Sequence, residues 1–433
     1  MDSIDILLNI ITVVIVFSIL VFLHEGGHFL AARAFGVRVS EFMIGLPGPS
    51  VSRKWRGTRY GITAIPLGGY VRIAGMEPGP EDPLLARALQ VATEEGSIEL
   101  DRFADLIGTD QEHAQELADT LVSWDVAAYD TVKPPRSSDA EAPPEVTHLV
   151  AHAEPHTVAD ADAALDEARK GTYRALPTWK RIVVLASGVV VNLVAAVLIF
   201  ASVLTISGYE IATPTLSDVT ASGPAAEAGI LAGDRIVSIA GVEVDSWEAV
   251  INQVGTLTPG ETTSIVVDRN GMPLEADIVP QAAPDDETRA QLGIVAGREH
   301  YRPSFGESLG MAFDNVKMVT ALIAGLFTPS TFKATVSQST SIVGITAMAG
   351  QAAKAGPDVV LWLLASLSLS LGIVNALPIP PLDGGKIVFE LWRGITRREV
   401  PARIQTGLSI AGLALIGVFF VYMLYADISR LAG

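Results

Sequence analysis

The chain has 433 residues, 49% of them hydrophobic and only 18% charged, with a mean hydropathy of +0.39; such a balance is foreign to ordinary soluble domains. It contains no cysteine, which excludes disulfides, Cys-ligated zinc and thiol catalysis. The formal net charge of -18 argues against nucleic-acid binding, and it is local: residues 77–167 hold 22 acidic and 4 basic side chains, and the remainder is balanced.

Residues 6–23 are a first apolar stretch of the length a helix needs to cross a bilayer, and the helical pattern continues beyond them. The acidic start, Met1-Asp2-Ser3-Ile4-Asp5, and the lack of a small-residue cleavage site set this stretch apart from a signal peptide. Residues 37–76 alternate apolar positions with turns at Gly45-Leu46-Pro47-Gly48-Pro49, Arg56-Gly57 and Gly68-Gly69, the pattern of β-hairpins. Residues 77–170 are acidic, Ala-rich and interrupted by Pro134-Pro135 and Pro143-Pro144; they read as a small helical module with disordered joints.

A second span over 182–206 precedes a domain of short strands and one or two helices at 213–281. The apolar run 316–327 is too short to cross and contains Lys317, so it reads as an interfacial or packed helix. Spans three and four occupy 359–377 and 407–425. The expected fold is a polytopic α-helical membrane protein: four transmembrane helices, a membrane-associated β-hairpin, an external α+β domain and a cytoplasmic acidic module. Its parts divide as 1–36, 37–76, 77–172, 173–208, 209–298, 299–356, 357–393 and 394–433.

Basic residues orient the spans. Arg33 and Arg38 follow the first, Arg174, Lys180 and Arg181 precede the second, and Lys386, Arg393, Arg397, Arg398 and Arg403 separate the third from the fourth. The opposite ends carry Asp2, Asp5, Glu210, Asp218 and Asp427. Both termini and the 209–298 domain are therefore expected outside, and the acidic module inside.

His24-Glu25-Gly26-Gly27-His28 matches H-E-x-x-H. Residues four apart on a helix share a face, so both imidazoles can bind one metal, with Glu25 beside it as a base for water. Ionisable groups within a span are costly and usually functional. A catalytic zinc needs a third protein ligand. His113, His148, His152 and His156 lie in the acidic module and His300 outside, so a carboxylate is expected. Asp383 is the best candidate. It sits where Pro378, Pro380 and Pro381 break the third span, in Asn375-Ala376-Leu377-Pro378-Ile379-Pro380-Pro381-Leu382-Asp383-Gly384-Gly385. Glu41 is the rival, and a turn residue before Gly-Gly is the plain alternative for Asp383. His148, His152 and His156 recur every four residues, but Pro155 interrupts any helix aligning them, so they read as solvated.

With H-E-x-x-H in the first span, Asn-x-x-Pro and Leu-Asp-Gly-Gly in the third, and a PDZ-like domain between, the chain resembles bacterial site-2 proteases, in particular the subgroup that cleaves anti-sigma factors. The resemblance covers everything except the acidic module. It implies a cell-membrane zinc metalloprotease that meets single-span membrane substrates in the lipid bilayer. It further implies His24, His28 and Asp383 as zinc ligands and Glu25 as catalytic base. Asn375 is implied as substrate-contacting, and 37–76 as the family's membrane-associated hairpin, with Gly68, Gly69 and Tyr70 at its signature turn. In Ser187-Gly188-Val189-Val190-Val191-Asn192, Val189 replaces a proline common in relatives. Asn192 either hydrogen-bonds substrate or catalytic helix, or is packing glue between helices. The run Gly223–Ile236 carries the PDZ likeness, and that domain either binds peptide by strand addition or filters by size. A membrane scaffold and a metal transporter are the rival classes; the intact Glu25 speaks for proteolysis.

Overall fold

The computed structural model describes residues 3–65, 68–77, 79–132, 146–284, 286–338 and 341–432; the expected joints at Pro134-Pro135 and Pro143-Pro144 lie outside these residues. The chain splits into two compact units, one from Met1–Phe200 with Leu309–Gly433 and one from Ala201–Ser308.

In the first unit, helix α1 (Ser3–Ala34) opens the chain. Leu7, Ile11, Ile15, Ile19 and Phe22 are exposed along one side, whereas Val16, Leu20, His24 and His28 are buried along the other. Steps of three and four residues keep each set on its own face. An apolar face left open along a whole helix suits lipid rather than water.

Strands β1 (Val39–Ile44), β2 (Ser50–Trp55), β3 (Thr58–Thr63) and β4 (Gly69–Ile73) form a four-stranded sheet in the order β2-β3-β1-β4. The expected hairpins are thus only partly realised. β2 and β3 do form one, but β3 then runs parallel to β1. Turn residues at 45–49 announce a reversal without fixing where the next strand lands. Here β2 lands one strand away, and β3 fills the gap. The sheet edges are therefore β2, exposed at every residue, and β4.

The acidic module also departs from expectation. Helices α2 (Leu85–Glu95), α3 (Leu100–Ile107), α4 (Gln111–Ser123) and α5 (Ala161–Arg169) accompany a three-stranded sheet. Its strands are β5 (Ser97–Glu99), β6 (Ala127–Val132) and β7 (Val146–Ala151), in the order β5-β7-β6. Leu85, Phe103, Leu117, Leu121, Trp124 and Leu149 close a core of its own. The module is α+β, not purely helical. His148 sits on β7, with His152 and His156 exposed beyond it, so their spacing is not helical.

Helix α6 (Thr178–Ser207) leads into the second unit. There β8 (Tyr209–Val219), α7 (Pro224–Glu227), β9 (Arg235–Ile239), β10 (Val242–Glu243), α8 (Trp247–Val254), β11 (Thr263–Arg269), β12 (Met272–Ile278), β13 (Gln281–Ala283), β14 (Asp286–Gln291) and β15 (Ile294–Tyr301) follow. The main sheet runs β12-β11-β9-β8-β15 with β10 on β9, while β13 and β14 pair separately. The domain outgrows 213–281 because its long closing pair, β8 with β15, spans Tyr209 to Tyr301. Leu216, Ile230, Ile236, Ile239, Val250, Ile265 and Val267 fill the core. Beside them the buried Asp234 accepts from the Arg269 guanidinium at 2.8 and 2.7 Å and from the Leu231 N–H at 2.9 Å.

Helix α9 (Phe305–Gly325) begins well before the apolar run at 316. Its start is set by Ser304, whose N–H and hydroxyl each donate to Glu307 at 2.8 Å, a polar capping arrangement that hydropathy does not register. Helices α10 (Phe332–Gln338), α11 (Ile342–Ala355), α12 (Pro357–Asn375), α13 (Asp383–Thr396) and α14 (Ala402–Ala432) complete the chain. Among the described residues, four helical stretches are long and apolar enough to cross a membrane: Leu7–Ala34, Thr178–Ser207, Pro357–Asn375 and Ala402–Ala426.

Candidate metal centre

One turn of α1 separates His24 from His28 and puts both rings on the buried face. Their Nε2 atoms lie 3.4 Å apart. Each is also 3.1 Å from Oδ2 of Asp383, which is buried at the start of α13. Among the described residues this is the one group of three or more acidic, His or Cys side chains that could hold a metal ion.

The donor set fits zinc. Four ligands at ~2.05 Å in a tetrahedron have atoms ~3.3 Å apart, and the three distances here bracket that value. The ring of His28 is already aimed as a metal ligand would be, because its Nδ1–H donates to the Val184 carbonyl at 2.8 Å and turns the Nε2 lone pair toward His24 and Asp383. The second oxygen of Asp383 lies 3.5 Å from Lys386 Nζ, one helical turn on. Glu25 follows His24 directly and is half-buried.

Local sequence explains why α13 can begin here. Helix α12 ends at Asn375, and three prolines prevent its continuation. The chain then turns back tightly enough that a Cβ on Gly384 would stand 2.3 Å from the Ala376 carbonyl oxygen, and one on Gly385 2.3 Å from the Pro380 nitrogen. Only glycines let the first turn of α13 pack on the broken segment.

Helix α6 supplies what sequence reading missed. A Cβ on Gly188 would come within 2.5 Å of His28 Nε2 and 2.9 Å of His24 Cε1, in the space a metal would share. A Cβ on Gly27 would stand 2.5 Å from the Ser187 carbonyl oxygen, so α1 and α6 cross backbone to backbone. Val189 lies within the continuous helix α6. The readable signal was Gly188-x-x-x-Asn192, a small and a polar residue on one helix face. Asn192 is fully buried, and its Nδ2 lies 3.4 Å from His24 Nδ1. Its side chain therefore meets α1.

The remaining sequence candidates sit around this centre. Glu41 on β1 pairs with Arg59 at 3.5 Å and Arg72 at 3.4 Å, within the sheet and apart from the histidines. Gly69 opens β4, where a Cβ would meet Val21 of α1 at 2.5 Å, so β4 passes against the helix one turn before His24. Gly68 takes a positive φ of 88° and its carbonyl accepts from the Gly45 N–H at 2.8 Å, next to the Ile44–Gly69 pair of β1 and β4. Tyr70 stands opposite Met43, and burial together with Glu41 pushes its phenol above the ordinary range. Asn375 is half-buried at the end of α12.

The family model described as Peptidase family M50 matches residues 12–419. The zinc metalloprotease RasP of Shouchella clausii is 29% identical over 430 residues, covering 98% of this chain and 99% of the relative. The regulator of sigma-W protease RasP of Bacillus subtilis is 28% identical over 436 residues, with 98% and 99% coverage. The probable protease eep of Enterococcus faecalis is 28% identical over 445 residues, again with 98% and 99% coverage. Among solved structures, the PDZ domain of an SdrC-like protein from Listeria monocytogenes is similar at 25% identity and a TM-score of 0.18, covering 20% of this chain and 88% of that one.

Proposed function

Because the chain belongs to peptidase family M50, we propose that His24, His28 and Asp383 hold the zinc of an intramembrane protease and that Glu25 is its base. Membership makes the protein a zinc metalloendopeptidase of the site-2 protease type. The substrate is a single-span membrane protein, cut within or near its transmembrane helix, and an anti-sigma factor in regulated intramembrane proteolysis fits best, since the similar B. subtilis protein is named a regulator of sigma-W protease. The observation that carries the reading is the convergence of three buried donors at 3.1, 3.1 and 3.4 Å, two on α1 and one on α13.

When bound, zinc supplies a Lewis acid that polarises the scissile carbonyl and acidifies water. The protein does the rest. Glu25 takes the proton of the attacking water on its carboxylate and returns it to the departing amine. A helical substrate hides its backbone amides, so it must be drawn out into strand form. The open edge of β4, lying against α1 at Val21, one turn before His24, offers such a strand its ladder. Asn375, at the last turn before the break in the third span, faces the same event from α12. The Ala201–Ser308 unit is read as PDZ-like, binding peptide or filtering by size.

The protein lies in the bacterial cell membrane with its termini and second unit outside and the acidic module inside, because Arg174, Lys180 and Arg181 and the basic run Arg393–Arg403 flank the spans on one side. Reporter fusions at 218–268 and 94–130 test that orientation, and both reporters appearing on one side would refute it. The test of the chemistry is co-expression of wild type and Glu25→Gln with a library of tagged single-span proteins. Uncut substrate should accumulate only with the variant, which should keep its zinc and lose about 100-fold or more in rate. Equal turnover of a confirmed substrate by Glu25→Gln would sink the mechanism.

A further inference from the structure

The two histidines have four ring nitrogens between them, and three have assigned partners. Both Nε2 atoms face Asp383, and His28 Nδ1 faces the Val184 carbonyl. The fourth, His24 Nδ1, faces the side-chain amide of Asn192 with Nδ2 nearest, at 3.4 Å. Oδ1 of the same amide is buried and has no hydrogen-bond partner.

A neutral imidazole carries its proton on one nitrogen. If Nε2 is given to a metal, Nδ1 must be the N–H, and a metal-bound histidine needs an acceptor there. An amide presenting Nδ2 would then set donor against donor. Oxygen and nitrogen of an amide exchange places by a half-turn about the last side-chain torsion, at almost no change in shape. In either orientation one polar atom meets the ring and the other points away, so the ring nitrogen decides. The backbone that carries this amide is itself anchored: Ser368 Oγ on α12 donates to the Asn192 carbonyl at 2.9 Å, and Gly372 on α12 admits the Asn192 Cβ closely.

Resting on the zinc reading of the cluster, we propose that Asn192 presents Oδ1 to His24 Nδ1–H and so holds His24 in the tautomer whose Nε2 faces the metal. Asn192 is then a positioning residue, acting through His24 and not on substrate. Of the roles the sequence left open for Asn192, substrate contact, a hydrogen bond to the helix of His24 or packing between helices, this takes the second. With Val184 on His28, Asn192 makes α6 the helix that orients both imidazoles of α1.

The test is zinc affinity, measured by chelator competition on the purified full-length protein in detergent, for wild type, Asn192→Leu and Asn192→Asp. Leucine keeps the branched skeleton and cannot accept; aspartate matches the shape and accepts only. Asn192→Leu should lose ten- to hundred-fold in zinc affinity, and Asn192→Asp should bind zinc at least as tightly as wild type. A packing role predicts the reverse order, because leucine packs and a buried carboxylate does not. Zinc retention in Asn192→Leu equal to or better than in Asn192→Asp would therefore overturn the inference while leaving the zinc site standing. A wild-type protein that binds no zinc would overturn both.

Discussion

Replacing Gly188 by Ala adds one methyl group where the structure has no room for it. The new Cβ would stand 2.5 Å from His28 Nε2 and 2.9 Å from His24 Cε1. Ordinary contact needs about 3.5 Å, so His28 must retreat by about 1 Å. Zinc–ligand distances tolerate roughly 0.2 Å. The helices cannot simply part to make space, because separating α1 from α6 stretches the 2.8 Å bond between His28 and Val184 that aims the ring. Zinc affinity should therefore fall beyond the about 10- to 100-fold typical of outer contacts, and cleavage should be lost with it. Helix stability moves the other way, since Gly→Ala within a helix gains about 1 kcal/mol. Overpacking opposes that gain by about 1–3 kcal/mol, so unchanged thermal unfolding beside lost zinc is what separates loss of the site from loss of the fold. Gly26→Ala is the internal control: it lies between the two histidines, but its Cβ meets nothing within 4 Å. Metal analysis, thermal unfolding and cleavage of a tagged substrate should separate the two variants. Full zinc occupancy in Gly188→Ala would refute the argument that this glycine makes room for the ion.

Asp383→Ala should abolish zinc binding and cleavage, whereas Glu41→Ala, which removes a sheet partner of Arg59 and Arg72, should leave zinc in place; metal analysis giving the opposite pattern would make Glu41 the third ligand. Proline scanned along the β4 edge should remove ladder donors and impair cleavage without releasing zinc, and unchanged cleavage throughout β4 would make the sheet a structural anchor only. In the acidic module, His113 donates to Asp82 at 2.7 Å, and that bond, supported by Glu116 and Asp110, raises its pKa. The folded value lies above the unfolded one, so the stabilisation is complete below about pH 6.5 and is lost as pH rises through the higher folded value. Hydrogen exchange across α4, corrected for intrinsic rates, should show falling protection over that range in wild type and a flat profile in His113→Gln; a flat wild-type profile would show that the pair contributes nothing.

The convergence of the three candidate ligands was largely legible because each of them is marked by a local rule. His24 and His28 share a face by spacing alone, and Asp383 stands where prolines forbid the helix to continue. Elimination of the other histidines called for a carboxylate, and Asp383 was preferred over Glu41 because it stands at the broken span and Glu41 in a hairpin; the geometry adds that Glu41 faces two arginines across its own sheet. What sequence could not give is the partner side of each contact. Nothing in Gly188 says which ring it will touch, and nothing in Val184 says its carbonyl will anchor a histidine 156 positions away in the chain. These are properties of a helix crossing, fixed only when Gly27 and Gly188 meet.

The acidic module and the sheet failed for a different reason. Composition over residues 77–170 is dominated by charge and alanine, which favour helix on the surface, and four helices stand among its described residues. The strands between them are short: β5 has 3 residues and β6 and β7 have 6 each. A strand of three residues has no periodicity to read. Its pairing is also non-local, since Ile98 on β5 meets Leu149 on β7 and Tyr129 on β6 meets the same residue from the other side. Leu149 is fully buried between them and joins the core around Trp124 and Phe103. The β1–β3 parallel pair in residues 37–76 hides equally well, because alternation tells a strand from a helix but not a parallel neighbour from an antiparallel one. Net charge therefore describes this module's surface and says nothing against its interior: a segment with 22 acidic side chains across residues 77–167 still buries enough tryptophan, phenylalanine and leucine to fold around them.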